Sequence, residues 1–385
     1  MNTARSVAVA LLVAAEQGAR ANVELPRLLA HSDLDERDRR LATELAYGSL
    51  RMRRACDWLI GQFTRGEVEP QVKAVLRAGA YQLAFMRVPA HAAVSATVAE
   101  ASPRARGLVN AVLRRVAELT EAGPPRWPDV ATELSYPDWV VERLSQDLGP
   151  GPARASLEQM NRPATRTLRA DGYVQDPASQ AVTEHMAKLL ADFGPGPASR
   201  VLDLCSGPGG KATGLARSAR LVVAVDLLPA RAALVAANAW RLQLPNVAVV
   251  LADGTRHPLR AGTFDGVLVD APCSGLGVLR RRPDARWRVK PGDIARLAGL
   301  QRRLLESAAP LVRPGGLLAY SVCTMTREET TDVDAWLKES LPGWEALAGP
   351  AGPWAPHGRG ALILPQTAGT DGMYLLVLRQ PGPAY

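Results

Sequence analysis

At 385 residues, 47% hydrophobic and 22% charged, the chain has the composition of an ordinary globular protein with room for two or three domains. Its net charge of +8 rests on arginine, since Lys73, Lys188, Lys211, Lys290 and Lys338 are the only lysines; it favours an anionic partner, nucleic acid before a membrane surface, although a compositional preference for Arg and Ala would give the same balance. The four cysteines, Cys56, Cys205, Cys273 and Cys323, form no CxxC, which argues against a disulfide framework or a metal site and for reduced thiols in the cytoplasm.

The apolar run Ser6 to Ala15 is too short to span a membrane and passes with helical periodicity into Glu16-Gln17-Gly18, so it predicts a buried first helix rather than a secretion signal. Residues 1–122 read as one all-α domain, with apolar stripes at Val72, Val75, Leu76, Ala80, Leu83 and at Leu108, Val112, Leu113, Val116. That region holds 17 Lys/Arg against 13 Asp/Glu, half of the net charge. The four prolines and one glycine of 123–137 predict a linker, and residues 123–170 read as a connector with short helical pieces.

From Arg200 short apolar runs alternate with helical patterns: Val201 to Leu204, Leu221 to Val225, Val247 to Leu251, Phe264 to Val269, Leu317 to Tyr320 and Tyr374 to Leu378. This predicts an α/β domain over 171–385, Rossmann-like, with mostly parallel strands and ligands beyond their carboxyl ends. After the first run comes Cys205-Ser206-Gly207-Pro208-Gly209-Gly210-Lys211. Cys205 and Ala212 stand where a P-loop needs Gly and Ser/Thr, which excludes that motif. A dinucleotide fingerprint fits loosely at Gly207, Gly209 and Ala212; S-adenosylmethionine, which carries adenosine without phosphate, fits as well. Asp226 ends the second run, nineteen residues after Gly207, and suits a ribose diol or a helix cap; Asp253 ends the third and is equally readable as a turn residue.

The fourth run ends in Asp270-Ala-Pro-Cys273 and the fifth in Tyr320-Ser-Val-Cys323, so two strands deliver a thiol each to the edge that carries the glycine loop. A free cysteine is more often a small core residue than a nucleophile, but two beyond strand ends, one beside an Asp, suit covalent catalysis. A thiolate adding to C6 of cytosine makes C5 nucleophilic toward a sulfonium methyl; a carboxyl assists at N3, and a base then removes the C5 proton.

The motifs CSGPGGK, DAPCSGLGVLRRRPDARWR and YSVCTMTREE resemble those of RNA 5-methylcytosine methyltransferases, and 76–101 with 107–116 resemble a NusB-type RNA-binding domain. Together they resemble the bacterial RsmB/Sun type, which modifies 16S ribosomal RNA. The resemblance implies S-adenosylmethionine as cofactor, with residues 205–211 at its methionine end, Asp226 at the ribose, Asp253 at the adenine side and Asp270 by the methyl donor and the cytosine. It implies Cys323 as nucleophile and Cys273 in product release. DNA cytosine methyltransferases use the Pro-Cys thiol instead, and the residues alone leave that assignment open. The resemblance also implies an RNA partner, 16S rRNA unassembled or partly assembled, with no metal and no membrane. Two features depart from the family: Val322 replaces a threonine, and the passage from Thr167-Leu168-Arg169 to Gly172-Tyr173 omits several dozen residues of an RNA-facing lobe. A decayed, non-catalytic RNA-binding assembly protein is therefore a second reading, and an NAD-dependent oxidoreductase a third. The basic run Arg280 to Lys290 reads as RNA contact, with phosphate bonds and base stacking on Trp287.

Overall fold

The computed structural model describes residues 3–382 and divides into two units. The first comprises the chain up to Arg143 with Met160–Arg162 and Leu279–Val289; the second comprises Leu144–Gln159, Pro163–Val278 and the chain from Lys290. The contacts thus cut through the 123–170 connector and assign part of the basic run to the first unit.

The first unit is helical. Its main helices are α1 (Ala4–Glu16), α2 (Ala21–Ala30), α3 (Glu36–Arg51), α4 (Arg53–Gly61), α5 (Pro70–Phe85), α6 (Ala90–Val98) and α7 (Arg106–Glu121). Thr3 opens α1 with a capping box to Ser6, and Val7, Ala8, Leu11 and Leu12 are buried, so the apolar start is a core helix. The α5 stripe packs as expected; in α7 Val112, Leu113 and Val116 are buried, whereas Leu108 lies 47% exposed at the helix start. Arg77, buried in α5, meets Asp57 at 2.6 Å and Glu16 at 2.5 Å, so its charge is paired. The predicted linker holds a short helix, Val130–Leu134, capped by Asp129. It is tied down by Arg54, whose Nε donates to Thr132 Oγ1 and whose Nη1 donates to the Tyr136 carbonyl.

The basic run corrects the sequence expectation at Arg286. The Trp287 indole N–H donates to the Leu50 carbonyl at 2.7 Å, and the Arg53 guanidinium lies 5.3 Å from its ring centroid. Arg286 is fully buried: its Nη1 donates to the carbonyls of Arg51 and Ser135 and to Asn161 Oδ1, and the guanidinium lies 3.8 Å from the Tyr136 ring centroid. Arg280 is buried too, while Arg281, Arg282 and Lys290 are exposed. Arg286 thus completes a protein core instead of meeting phosphate, whereas Trp287 is half-buried with its indole N–H committed to Leu50.

The second unit carries nine strands: β1 (Arg200–Asp203), β2 (Leu221–Asp226), β3 (Val247–Leu251), β4 (Phe264–Asp270), β5 (Val312–Val322), β6 (Glu345–Ala346), β7 (Ala355–His357), β8 (Gly360–Ile363) and β9 (Met373–Arg379). Their order is β3-β2-β1-β4-β5-β9-β8-β7, with β6 also on β9. The strands β1 to β5 pair in parallel, and β9 runs antiparallel between β5 and β8. All six apolar runs form strands of one mixed sheet. Strand β4 is buried along its length apart from Asp270, as a strand covered on both faces should be. The helix Pro177–Phe193 covers one face with Val182, Met186 and Leu190; the helix Pro291–Ala308 reaches the other, where Gln301 meets Tyr320. Strand order reverses between β1 and β4, the place where such sheets open a crevice at their carboxyl ends. No helix among the described residues is long and apolar enough to cross a membrane.

Candidate active site

Three strand ends converge at that crevice. Strands β4 and β5 are parallel neighbours in register, with Asp270 opposite Ser321, so the turns that follow leave side by side. The Ala271 amide donates to the Ser321 carbonyl, and the Gly277 amide donates to the Cys323 carbonyl, which folds the 271–277 turn back over the end of β5. The result is a contact: Cys273 Sγ lies 3.3 Å from Cys323 Sγ, both thiols partly exposed. Gly277 is required there, because a Cβ would collide with the carbonyl of Gly372.

The glycine loop reaches the same place through Lys211. Its ammonium, almost wholly buried, meets Asp270 Oδ1 at 2.8 Å. Burial opposes the lysine charge, but Asp270 first, then Cys323 and Asp203, outweigh it and raise the pKa. Cys273 is held far above an ordinary thiol by its hydrogen bond with Cys323, by burial, and by the negative charges of Cys323, Glu329 and Asp270. A cation thus lies within the field of Cys323, and two carboxylates act against ionisation of Cys273.

The remaining expected residues form the rim. Ser206 Oγ and N both donate to the Val225 carbonyl, and the Gly209 amide donates to the Ser206 carbonyl with φ at +104°, a conformation that suits glycine. Asp226 accepts from the Gly207 amide at 2.9 Å and the Leu228 amide at 3.0 Å, with Arg231 Nε at 3.4 Å. It thus fastens the glycine loop and the turn into helix Pro229–Arg241 at once. A Cβ on Gly207 would strike Asp226 and Arg231, so the acid sits directly against the loop. Pro208 is held by Asn238, which donates to its carbonyl, and Gly210 by Arg169, which donates to its own. Cys205 stays a thiol, pushed up by burial and then by Asp203. Asp253 is exposed, and its Oδ1 accepts from Thr255 N and Oγ1, a turn arrangement. Val322 is fully buried and brings no hydroxyl to the thiols. The short passage near 170 is a tight hairpin, Leu168 bridging Val174, whose Arg169 pairs with Asp171 and reaches Gly210 and Thr213 behind the loop.

Residues that the sequence reading passed over complete the site. Asp203, at the end of β1, is fully buried, and its carboxylate has no hydrogen-bond partner among the described residues. Burial, then the charge of Asp270, lifts its pKa to about 7. Its place inside an apolar run hid it. Glu329, in the turn after β5, accepts from Ser274 beside Cys273; the acid stands within the YSVCTMTREE motif, but nothing local marks it as a ligand of the other loop.

Known proteins resemble this chain over most of its length. A family model described as 16S rRNA methyltransferase RsmB/F matches residues 191–379, and one described as the NusB family matches residues 2–118. The ribosomal RNA small subunit methyltransferase B of Thermus thermophilus is 38% identical, covering 98% of this chain and 98% of its own. The putative methyltransferase Rv1407 of Mycobacterium tuberculosis is 36% identical, covering 94% of this chain and 92% of its own; that alignment runs to 434 positions, more than the chain contains, so this relative carries segments absent here. The crystal structure of PH0851 superposes with a TM-score of 0.78 at 20% identity, covering 98% of this chain and 99% of that one, a likeness of fold.

Proposed function

Since the chain belongs to the RsmB/F family of S-adenosylmethionine-dependent 16S rRNA methyltransferases, with a NusB domain ahead of the catalytic one, we propose that it methylates C5 of a cytosine in 16S rRNA through a covalent cysteine–C6 adduct. The observation that carries this reading is the 3.3 Å contact of two thiols at paired strand ends, beside the ion pair of buried Lys211 with Asp270.

When bound, S-adenosylmethionine supplies an electrophilic methyl group on a sulfonium. The donor set fits it: a glycine turn for the methionine end at 205–211, the Asp226 carboxylate against that turn for the ribose diol, and Asp253 at the next strand end for the adenine side. Cys323, within the field of the Lys211 ammonium, adds to C6 as its thiolate. Asp270, its Oδ1 on Lys211, would assist at N3 by relaying a proton from that ammonium as negative charge develops on the ring. Once Cys323 is bonded to C6 its negative charge no longer opposes ionisation of Cys273, which then loses its proton to solvent and, as thiolate, takes the C5 proton; the electron pair released at C5 closes the C5–C6 double bond, the Cys323–C6 bond breaks, and Cys323 leaves as thiolate. The cytosine must leave its stack to reach Cys323, which favours unassembled or partly assembled small-subunit RNA as substrate.

Transfer of labelled methyl to 16S rRNA tests the assignment. Cys323→Ala should abolish it, and Cys273→Ala should accumulate a protein–RNA adduct on a denaturing gel. Full turnover by Cys323→Ala removes that thiol from the nucleophile role. The hairpin in place of a lobe favours the second reading, a non-catalytic assembly protein, and cofactor binding without transfer by the wild-type chain would establish it.

A further inference from the structure

Behind the thiols lies a carboxylate that meets no cation among the described residues. Glu329 has zero exposure, and donors occupy both of its oxygens. Oε1 accepts from the Ser274 amide at 2.8 Å and from Gln301 Nε2 at 3.0 Å; Oε2 accepts from Ser274 Oγ at 2.5 Å and Thr326 Oγ1 at 2.9 Å. Gln301 also donates to the Pro272 carbonyl at 3.0 Å, so both neighbours of Cys273 are tied to this acid, one directly and one through Gln301. On the other side, Ser274 Oγ lies 2.9 Å from Thr324 Oγ1, beside Cys323, and the Tyr320 hydroxyl donates to the Glu329 carbonyl at 2.7 Å. A buried carboxylate is tolerated when hydrogen bonds replace its water, and here the four donors come from the two thiol-bearing segments and the helix between them. A fold stabilised only by burial would gain as much from an apolar residue at this place. The linkage of the two segments is what an apolar residue could not supply.

We propose that Glu329 is a positioning residue for the reaction: by accepting from both thiol-bearing segments it fixes the Cys273–Cys323 contact, and adduct resolution depends on that contact. This rests on the reading in which Cys323 forms the adduct and Cys273 resolves it. The Glu329 charge also acts on Cys273 and opposes its ionisation.

The test compares Glu329→Met, which cuts all four bonds at similar size, with Glu329→Gln, whose carbonyl still accepts from the Ser274 amide and whose amide the rotatable hydroxyls of Ser274 and Thr326 can accept. Phenylarsine oxide, which captures two thiols in contact, should bind wild type and Glu329→Gln but bind Glu329→Met at least about tenfold more weakly, with Cys273→Ala as the blank. Turnover of Glu329→Met should fall about a hundredfold, the loss expected of a reacting group misplaced by roughly an ångström, with KM for RNA unchanged and the covalent adduct accumulating; Glu329→Gln should recover most of it. Wild-type arsenical capture and turnover in Glu329→Met would overturn the proposal. So would a loss of cofactor binding and folding that Glu329→Gln does not rescue, which marks a structural staple. If Glu329→Met fails to fold, Ser274→Ala removes one tie, and the same weaker capture with adduct accumulation is expected. Arsenical capture reads the spacing whether or not the covalent mechanism holds, whereas absence of an adduct in Cys273→Ala would count against the mechanism alone.

Discussion

Two buried cations show how differently one kind of residue is used in this molecule. Lys211, in the catalytic unit, is buried against a carboxylate and within the field of a thiol. Arg286, in the helical unit, is buried against two carbonyls, an amide oxygen and a phenol ring, all neutral. Burial lowers the Arg286 pKa to about 10, whereas Lys211 is raised despite burial. The pairing of a cation with an anion that reacts marks chemistry; the satisfaction of a cation by backbone oxygens marks a fold. Both residues looked alike in the sequence, as basic side chains beside catalytic motifs.

The sharpest way to break that contrast is to remove the lysine. Lys211→Met should reduce single-turnover methyl transfer by roughly a thousandfold, the scale of losing a charge aimed at a developing one, with little change in the urea midpoint. Near-wild-type transfer would leave the lysine no more functional than Arg286.

Arg286→Ala should do the reverse. It strands three oxygen acceptors and leaves a void against Tyr136, and the helical unit should lose about 3–5 kcal/mol in urea denaturation. Arg286→Met, which fills the void without a buried charge, should lose much less. Binding of S-adenosylhomocysteine, followed by calorimetry at temperatures where both variants are folded, should not change.

How far the sequence speaks follows the same division. The six apolar runs were legible as strands because each is a short continuous run of β-forming apolar residues, whether buried along its length as in β4 or at the sheet edge as in β3. Strands β6, β7 and β8 were not: they hold two to four residues, and Pro356 in β7 is a residue strands seldom take. Both thiols were legible because strand ends in a parallel sheet point to one crevice. Glu329 was not, since its partners Ser274 and Gln301 lie 55 and 28 residues away and meet it only through the fold. Arg286 was misread for the same reason: exposure, which separates a phosphate contact from a core residue, is a tertiary property.

A smaller effect probes the crevice from below. Asp203 ionises near pH 4 in an unfolded chain and at about 7 in the folded one, because burial and Asp270 oppose its charge. Below pH 4 both states hold the proton and the fold bears no penalty. As pH rises toward 7 the unfolded chain loses its proton while the fold keeps it, so stability declines through that window and then levels off. Asp203→Asn removes this decline. Its advantage over wild type should grow from pH 4 to 7 and reach on the order of a few kcal/mol by pH 8 in urea unfolding. Parallel curves for the two proteins would mean that the carboxylate is ionised in the fold, and that the lysine is shared between two charges rather than committed to Asp270.

The smallest effect lies within the basic run itself. Arg281 and Arg282 are exposed, two and three residues beyond buried Leu279, while Arg286 is enclosed. If the exposed pair touches RNA, it does so through phosphates of a single strand, each contributing roughly 0.7 to the slope of log affinity against log salt. Arg281→Ala with Arg282→Ala should therefore weaken RNA binding only a few-fold near physiological salt and flatten that slope by about 1.4, with stability unchanged. An unchanged slope would assign the run entirely to the helical core. The basicity that first suggested an RNA surface would then belong to the packing of Arg286, and the search for phosphate contacts would move to the arginines of the helices.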